Sequence, residues 1–323
     1  MSPLDAIGRT PLIRLRHIVP TSGATIVVKV ESSNPTGSMK DRMARAAVEG
    51  AERRGVLRPG MSVVEYTGGS TGTALAFVCT VKGYRLQIVT SDAFSQEKHD
   101  HMAALGAEVT IVPSDRLRIT EALIRDMIDT AAAMSREGDT WWVDQLNNED
   151  AADGYAAMGE EILAQTGGRI AAFVHSVGTA HSFHGVVGAL RARDPGITTI
   201  AVEPAESPIL STGRTGGHRI EGIGIGFVPP LWHAEDADEI LAVTSDEAEE
   251  MARRLARDEA LFAGTSSGAN VVAALRVAER LGRGTTIATV LVDSGLKYLS
   301  TEVYEGLSDR RARVVPRIRQ DPP

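Results

Sequence analysis

Lys40 follows the turn Ser32-Ser33-Asn34-Pro35-Thr36-Gly37 and stands two residues after Ser38. Asn-Pro and Gly punctuate the chain there. Ser38 with Asp41 three residues on has the spacing of a capping box, which predicts a helix beginning near Ser38. Lys40 then falls in the first helical turn, the wrong end for a cation, because a helix N-terminus carries partial positive charge. A lysine ordinarily titrates at about 10.4, and bringing it near neutrality takes roughly 4 kcal/mol. The helix dipole supplies about 0.3–1 kcal/mol, so burial and neighbouring charge must supply the rest. An amine made neutral in this way is a nucleophile toward carbonyl groups.

Two glycine-rich loops have complementary chemistry. Thr67-Gly68-Gly69-Ser70-Thr71-Gly72 follows the apolar run 62–66, and Val177-Gly178-Thr179-Ala180-His181-Ser182 follows the run 171–176. Each precedes a helical pattern, so each offers backbone N–H groups and hydroxyls to an anion. Neither carries the lysine of a nucleoside-triphosphate P-loop. Two anion cradles and a poised amine suit a ligand with a phosphate and a carbonyl, beside a partner with a carboxylate, which is the outline of pyridoxal phosphate with an amino acid. Gly222-Ile223-Gly224-Ile225-Gly226-Phe227 is not a dinucleotide fingerprint, because the spacing is wrong and Pro229-Pro230 stops a helix from following. Gly264-Thr265-Ser266-Ser267-Gly268-Ala269-Asn270 opens an apolar helix, with Ser267 the expected N-cap.

Short β-branched runs alternate with longer helical patterns to position these loops. The strands expected are 26–30, 62–66, 86–90, 108–112, 171–176, 198–202, 239–243 and 286–292. The helices expected are 38–55, 71–83, 95–106, 119–136, 150–165, 181–193, 245–257 and 267–281. This is an α/β pattern of mostly parallel sheets flanked by helices on both faces, where ligands bind beyond the carboxyl ends of the strands. The stretch 203–238 is rich in Gly and Pro and reads as a long ordered loop, and 309–323 reads as a tail. The 323 residues are 43% hydrophobic and 24% charged, ordinary globular usage at a length suited to two domains. The net charge of −8 argues against a nucleic-acid partner and against an anionic membrane surface. No apolar run is long enough to span a bilayer, and Met1-Ser2-Pro3-Leu4-Asp5 lacks the features of a signal peptide. The single cysteine, Cys79, sits in an apolar run and is expected to be a buried, inert thiol in a reducing cytoplasm. His99, His101, His181 and His184 do not make a metal set, and none is expected.

The chain resembles the cysteine synthase (O-acetylserine sulfhydrylase) family of fold type II pyridoxal-phosphate enzymes, which are tryptophan synthase β-like. The resemblance rests on Ile7-Gly8-Arg9-Thr10-Pro11-Leu12, on 34–42 around Lys40, on 222–229, on 264–269 and on 293–301, in the family's order. It implies two α/β domains with the active site between them: a small domain over 35–147, and a large one from 1–34 plus 148–304, with 305–323 as tail. It implies that Lys40 forms the imine with pyridoxal 5'-phosphate. Gly178, Thr179, Ala180, His181 and Ser182 would hold the phosphate, Ser266 the pyridine nitrogen, and Ser70 and Gly224 would flank the cofactor. Thr67, Gly68, Gly69 and Thr71, helped by Gln145, would hold the substrate carboxylate. The implied reaction is β-replacement on O-acetyl-L-serine or O-phospho-L-serine through an α-aminoacrylate, with a small nucleophile giving L-cysteine or a related β-substituted alanine. Elimination, dehydration or racemisation of serine or threonine is the alternative. A cytoplasmic homodimer is the family expectation.

The loops depart from the family's usual TSGNTG and GTGGT, reading TGGSTG and GTAHS here. The small Gly68 and Ser70 are expected to leave room for another leaving group or a bulkier amino acid.

Overall fold

The computed structural model describes residues 1–20 and 23–305. The expected tail at 309–323 lies outside the described residues.

Among the described residues, ten strands form two sheets. The six-stranded sheet runs β1 (Leu12–Arg14), β2 (Thr25–Val30), β10 (Thr286–Leu291), β7 (Ala172–Ser176), β8 (Thr198–Pro204), β9 (Glu239–Val243). It is parallel except for β1, which pairs antiparallel with β2. The four-stranded sheet runs β5 (Glu108–Val112), β4 (Arg85–Ser91), β3 (Ser62–Tyr66), β6 (Thr140–Trp142), and is parallel throughout. The helices are α1 (Lys40–Arg53), α2 (Ser70–Lys82), α3 (Gln96–Ala104), α4 (Glu121–Met134), α5 (Glu149–Thr166), α6 (His181–Arg193), α7 (Ile209–Thr212), α8 (Ser245–Asp258) and α9 (Thr265–Leu281). The α/β alternation and all eight expected strands are present. The three-residue strands β1 and β6 are additions, since three residues carry no periodicity to read. The loop expected over 203–238 contains the single turn α7.

Helices cover both faces of each sheet. The apolar residues of α8 and α9 pack on one face of the larger sheet, and those of α5 and α6 on the other. In the smaller sheet, α2 packs on one face and α4 on the other. Helix α1 belongs to both cores: Met43 packs with α5 and α6, while Ala44, Ala47, Val48 and Ala51 pack with α2. Its register is fixed against both sheets at once.

A buried ion network pins the same helix. Arg42 donates two hydrogen bonds to Glu31 (2.8 and 2.9 Å) and two to Glu161 (2.8 and 2.9 Å). Lys29, fully buried on β2, reaches Glu161 at 2.6 Å. Burial works against ionisation of Glu161, but the hydrogen bonds from Arg42 and Lys29 hold its carboxyl down at about 2.

Candidate active site

Lys40 lies in the first turn of α1, as expected, but it is the first residue of that helix, and the cap differs from the expected one. Met39 occupies the N-cap position. Ser38 Oγ accepts only a long 3.3 Å bond from the Lys40 N–H, and Asp41 turns back to the hydroxyl and N–H of Thr36. The carboxylate thus closes the preceding turn, and the helix begins two residues later than Ser38. Burial lowers the Lys40 amine to about 8, against the opposing pull of Asp293. Among the described residues, Nζ has no hydrogen-bond partner.

A cleft opens where the carboxyl ends of the two sheets face each other. It brings together Lys40, Thr67, Gly68, Gly69, Ser70, Thr71, Gln145, Gly178, Thr179, Gly224 and Ser266. Ala180, His181 and Ser182 lie behind it: His181 is 1% exposed, and its Nδ1 is 2.8 Å from Thr179 Oγ1. Burial, then the Lys40 charge, push the His181 imidazole down to about 3, so it is neutral. His184 faces away, bonding Asp236 at 2.5 Å and stacking on His233.

The loop after β3 is held from within. Thr67 Oγ1 accepts from the N–H groups of Gly69 (2.9 Å) and Gly72 (3.3 Å), so it organises the turn. Thr71 Oγ1 donates to Gln145 Oε1 at 3.0 Å, and Gln145 Nε2 donates to the Tyr66 carbonyl at 2.7 Å. Beneath them, buried Glu65 accepts from the backbone N–H groups of Tyr66 and Gln145. Gly69 has φ +125, and a Cβ there would meet Lys98 at 2.3 Å, so glycine is required twice over. In the loop after β7, a Cβ on Gly178 would meet the Gly222 carbonyl at 2.4 Å. That close approach packs the loop after β7 against the 222–226 segment. Ala180 caps α6 with φ 71, a left-handed conformation that glycine adopts more cheaply.

The room expected beside Gly68 is filled. A Cβ there would stand 2.8 Å from the Phe94 ring, which the smaller core holds in place. Ser70 lines the cleft, and its hydroxyl donates to Asp293 Oδ2 at 3.2 Å. Gly68→Ala is expected to cost about 1–3 kcal/mol by overpacking. Phe94→Leu in the same chain should restore most of it, as thermal melts of single and double variants would read out. Additive losses would refute the contact.

Sequence reasoning missed Asp293, Phe94, Lys98, Glu221 and Tyr298 as cleft residues. Asp293 follows β10, so the strand-end rule that found the other loops could have found it. It accepts from Tyr298 Oη at 2.8 Å as well as from Ser70. Lys98 pairs with Glu221 and lies 4.3 Å over the Tyr298 ring, joining the two sides of the cleft. Nothing in its helical, charged surroundings marked it. Ser267 is not the cap of α9. Gly264 is, and Ser267 Oγ instead accepts from the Val292 N–H at 2.9 Å. Glycines 222, 224 and 226 all have positive φ, which explains their alternation. Cys79 is buried, and burial pushes its thiol up to about 12.

The arrangement offers one amine of lowered pKa, two helix N-termini for anions and the Ser266 hydroxyl at the start of α9. A family model described as pyridoxal-phosphate dependent enzyme matches residues 3–293. A cysteine synthase of Staphylococcus aureus is 40% identical over 300 residues, covering 92% of this chain and 95% of the relative. Among solved structures, O-ureido-L-serine synthase superposes with a TM-score of 0.89 at 35% identity, covering 95% of each chain. A cysteine synthase from Entamoeba histolytica superposes at 0.87 with 34% identity, covering 94% of this chain and 90% of that one.

Proposed function

Because the chain belongs to the pyridoxal-phosphate dependent enzyme family, we propose that it catalyses β-replacement on an activated L-serine. O-acetyl-L-serine or O-phospho-L-serine would react with a small nucleophile such as sulfide to give L-cysteine or a related β-substituted alanine. The observation that carries this reading is Lys40, an amine lowered to about 8 in a cleft between two anion-binding loops. The cysteine synthase relatives support L-cysteine as product. The O-ureido-L-serine synthase keeps other β-substituted alanines in view.

The residues present fit the cofactor. The N–H groups at the start of α6 suit a phosphate, with Gly178, Thr179, Ala180, His181 and Ser182 forming the loop that leads into them. Ser266 would meet the pyridine nitrogen, with Ser70 and Gly224 flanking the ring. Pyridoxal phosphate, when bound, supplies an electron sink that acidifies the α-C–H of an amino acid and loosens its β-substituent. A neutral serine at the ring nitrogen keeps that sink milder than a carboxylate would. The N–H groups of Gly68, Ser70 and Thr71 would hold the substrate carboxylate, the Gly69 N–H being taken by Thr67 Oγ1, in a loop fixed by Gln145. Lys40 Nζ takes and returns the α-proton, and near pH 8 both of its forms are populated.

We take 35–147 as a small domain that closes on a large one, 1–34 with 148–304, to exclude water. We place the enzyme in the cytoplasm as a homodimer. No helix among the described residues is long and apolar enough to cross a membrane.

A pH prediction follows from the direction of the Lys40 shift. Only a neutral amine attacks a carbonyl, and at a pKa of about 8 the neutral fraction rises from about a tenth at pH 7 to about nine-tenths at pH 9. Covalent capture of pyridoxal phosphate by the apo-protein should accelerate with pH over that interval. A flat profile would count against the lowered amine. The function itself is tested by offering O-acetyl-L-serine, O-phospho-L-serine and serine with and without sulfide. A sulfide-dependent amino acid product is expected. Ammonia and keto acid from substrate alone would replace this reading with elimination.

A further inference from the structure

His175, on β7, is fully buried and has no part in the chemistry above. Its hydrogen bonds fix its tautomer, and the reasoning starts from the backbone. Asn270 Oδ1 accepts from the Ser176 N–H at 2.7 Å, and Asn270 Nδ2 donates to the Val290 carbonyl at 2.8 Å. A backbone donor on one side and a backbone acceptor on the other allow only one orientation of that amide. The second Nδ2 hydrogen therefore faces His175 Nδ1, 3.2 Å away. Burial, then the Lys40 charge, push the His175 imidazole down to about 3, so the ring is neutral at any working pH. A neutral ring that accepts at Nδ1 carries its proton on Nε2. Nε2 is 2.8 Å from Ser182 Oγ, which must then accept.

Ser182 consequently cannot spend its own proton on His175, its only hydrogen-bond partner among the described residues. It is the second residue of α6, where the N–H groups are free of intrahelical acceptors. We propose that His175 is a positioning residue: held in one tautomer by Asn270, it donates to Ser182 and so turns the Ser182 hydroxyl proton toward the phosphate bound at the start of α6. This inference rests on that loop being the cofactor-phosphate site. It makes Ser182 a donor only, which suits an anion with no protons to give.

The test titrates pyridoxal phosphate into apo-protein and reads the dissociation constant. His175→Phe and Ser182→Ala are each expected to weaken binding about tenfold, the scale of one hydrogen bond to a charged group. The double variant should be no weaker than Ser182→Ala alone, since His175 acts through that hydroxyl. His175→Gln, whose Nε2 can donate from a similar position, should stay within about threefold. Nitrogen-15 shifts of wild-type His175 should place the proton on Nε2, a readout that survives even if a variant fails to fold. A double variant weakened by the product of the single losses, or a proton on Nδ1, overturns the proposal. Wild-type apo-protein that binds no pyridoxal phosphate overturns the cofactor reading along with it.

Discussion

Lys40→Ala is expected to lower turnover by at least about 10³-fold, since in the proposed mechanism one group serves as both nucleophile and proton carrier. The fold should be untouched. Nζ bonds no other described group, and Asp293 keeps its bonds from Ser70 and Tyr298, so the deletion strands no buried partner. Burial already disfavours the Lys40 cation, so removing it costs the folded state little. The variant should also keep pyridoxal phosphate noncovalently, because the α6 loop and Ser266 are independent of position 40. Cofactor occupancy, melting temperature and turnover on one preparation separate these claims. Turnover within tenfold of wild type would end the mechanism. A lost cofactor with intact melting would show that the loop alone cannot hold the phosphate.

Arg42→Ala should be the most damaging substitution for stability among the residues named here. Arg42 is 5% exposed and, among the described residues, is the only one bonding both Glu31 and Glu161. Its loss leaves Glu31, fully buried, with hydrogen bonds from Thr10 and Asn34 but no cation bonded to it. Breaking one partner out of a buried pair costs about 3–5 kcal/mol, because a charge is left uncompensated. Arg42→Lys should recover only part, since an ammonium cannot reproduce the two-pronged contact with each carboxylate. Urea unfolding of the three proteins would check the order, wild type above Lys above Ala. Equal midpoints for all three would mean that the network contributes nothing. Because Arg42 lies two residues after Lys40 on one rigid helix, the Lys variant is also expected to lose activity before it unfolds.

Much of the site was legible because it obeys local rules. Strand–glycine loop–helix is a short-range pattern, and it locates 67–72 and 178–182 from neighbours a few residues apart. Lys40 was found by its place in the first turn of a helix. The misses are of another kind. The Ser38–Asp41 cap failed because Thr36 offered Asp41 two donors at closer reach. The room expected at Gly68 vanished because Phe94, 26 positions away in the chain, packs against it. His175 looked like a residue of an apolar strand, and only Asn270, 95 positions on, sets its tautomer.

The sequence by itself determined the alternation of strands and helices, the two glycine-rich turns between strand and helix and the placement of Lys40 in the first turn of a helix, since each follows from backbone sterics and neighbours a few residues apart. Tertiary structure alone decided how far the amine is discharged, what fills the space beside each glycine and which way each buried proton points. Those quantities depend on desolvation and on contacts between segments far apart in the chain, and residue spacing carries no record of either.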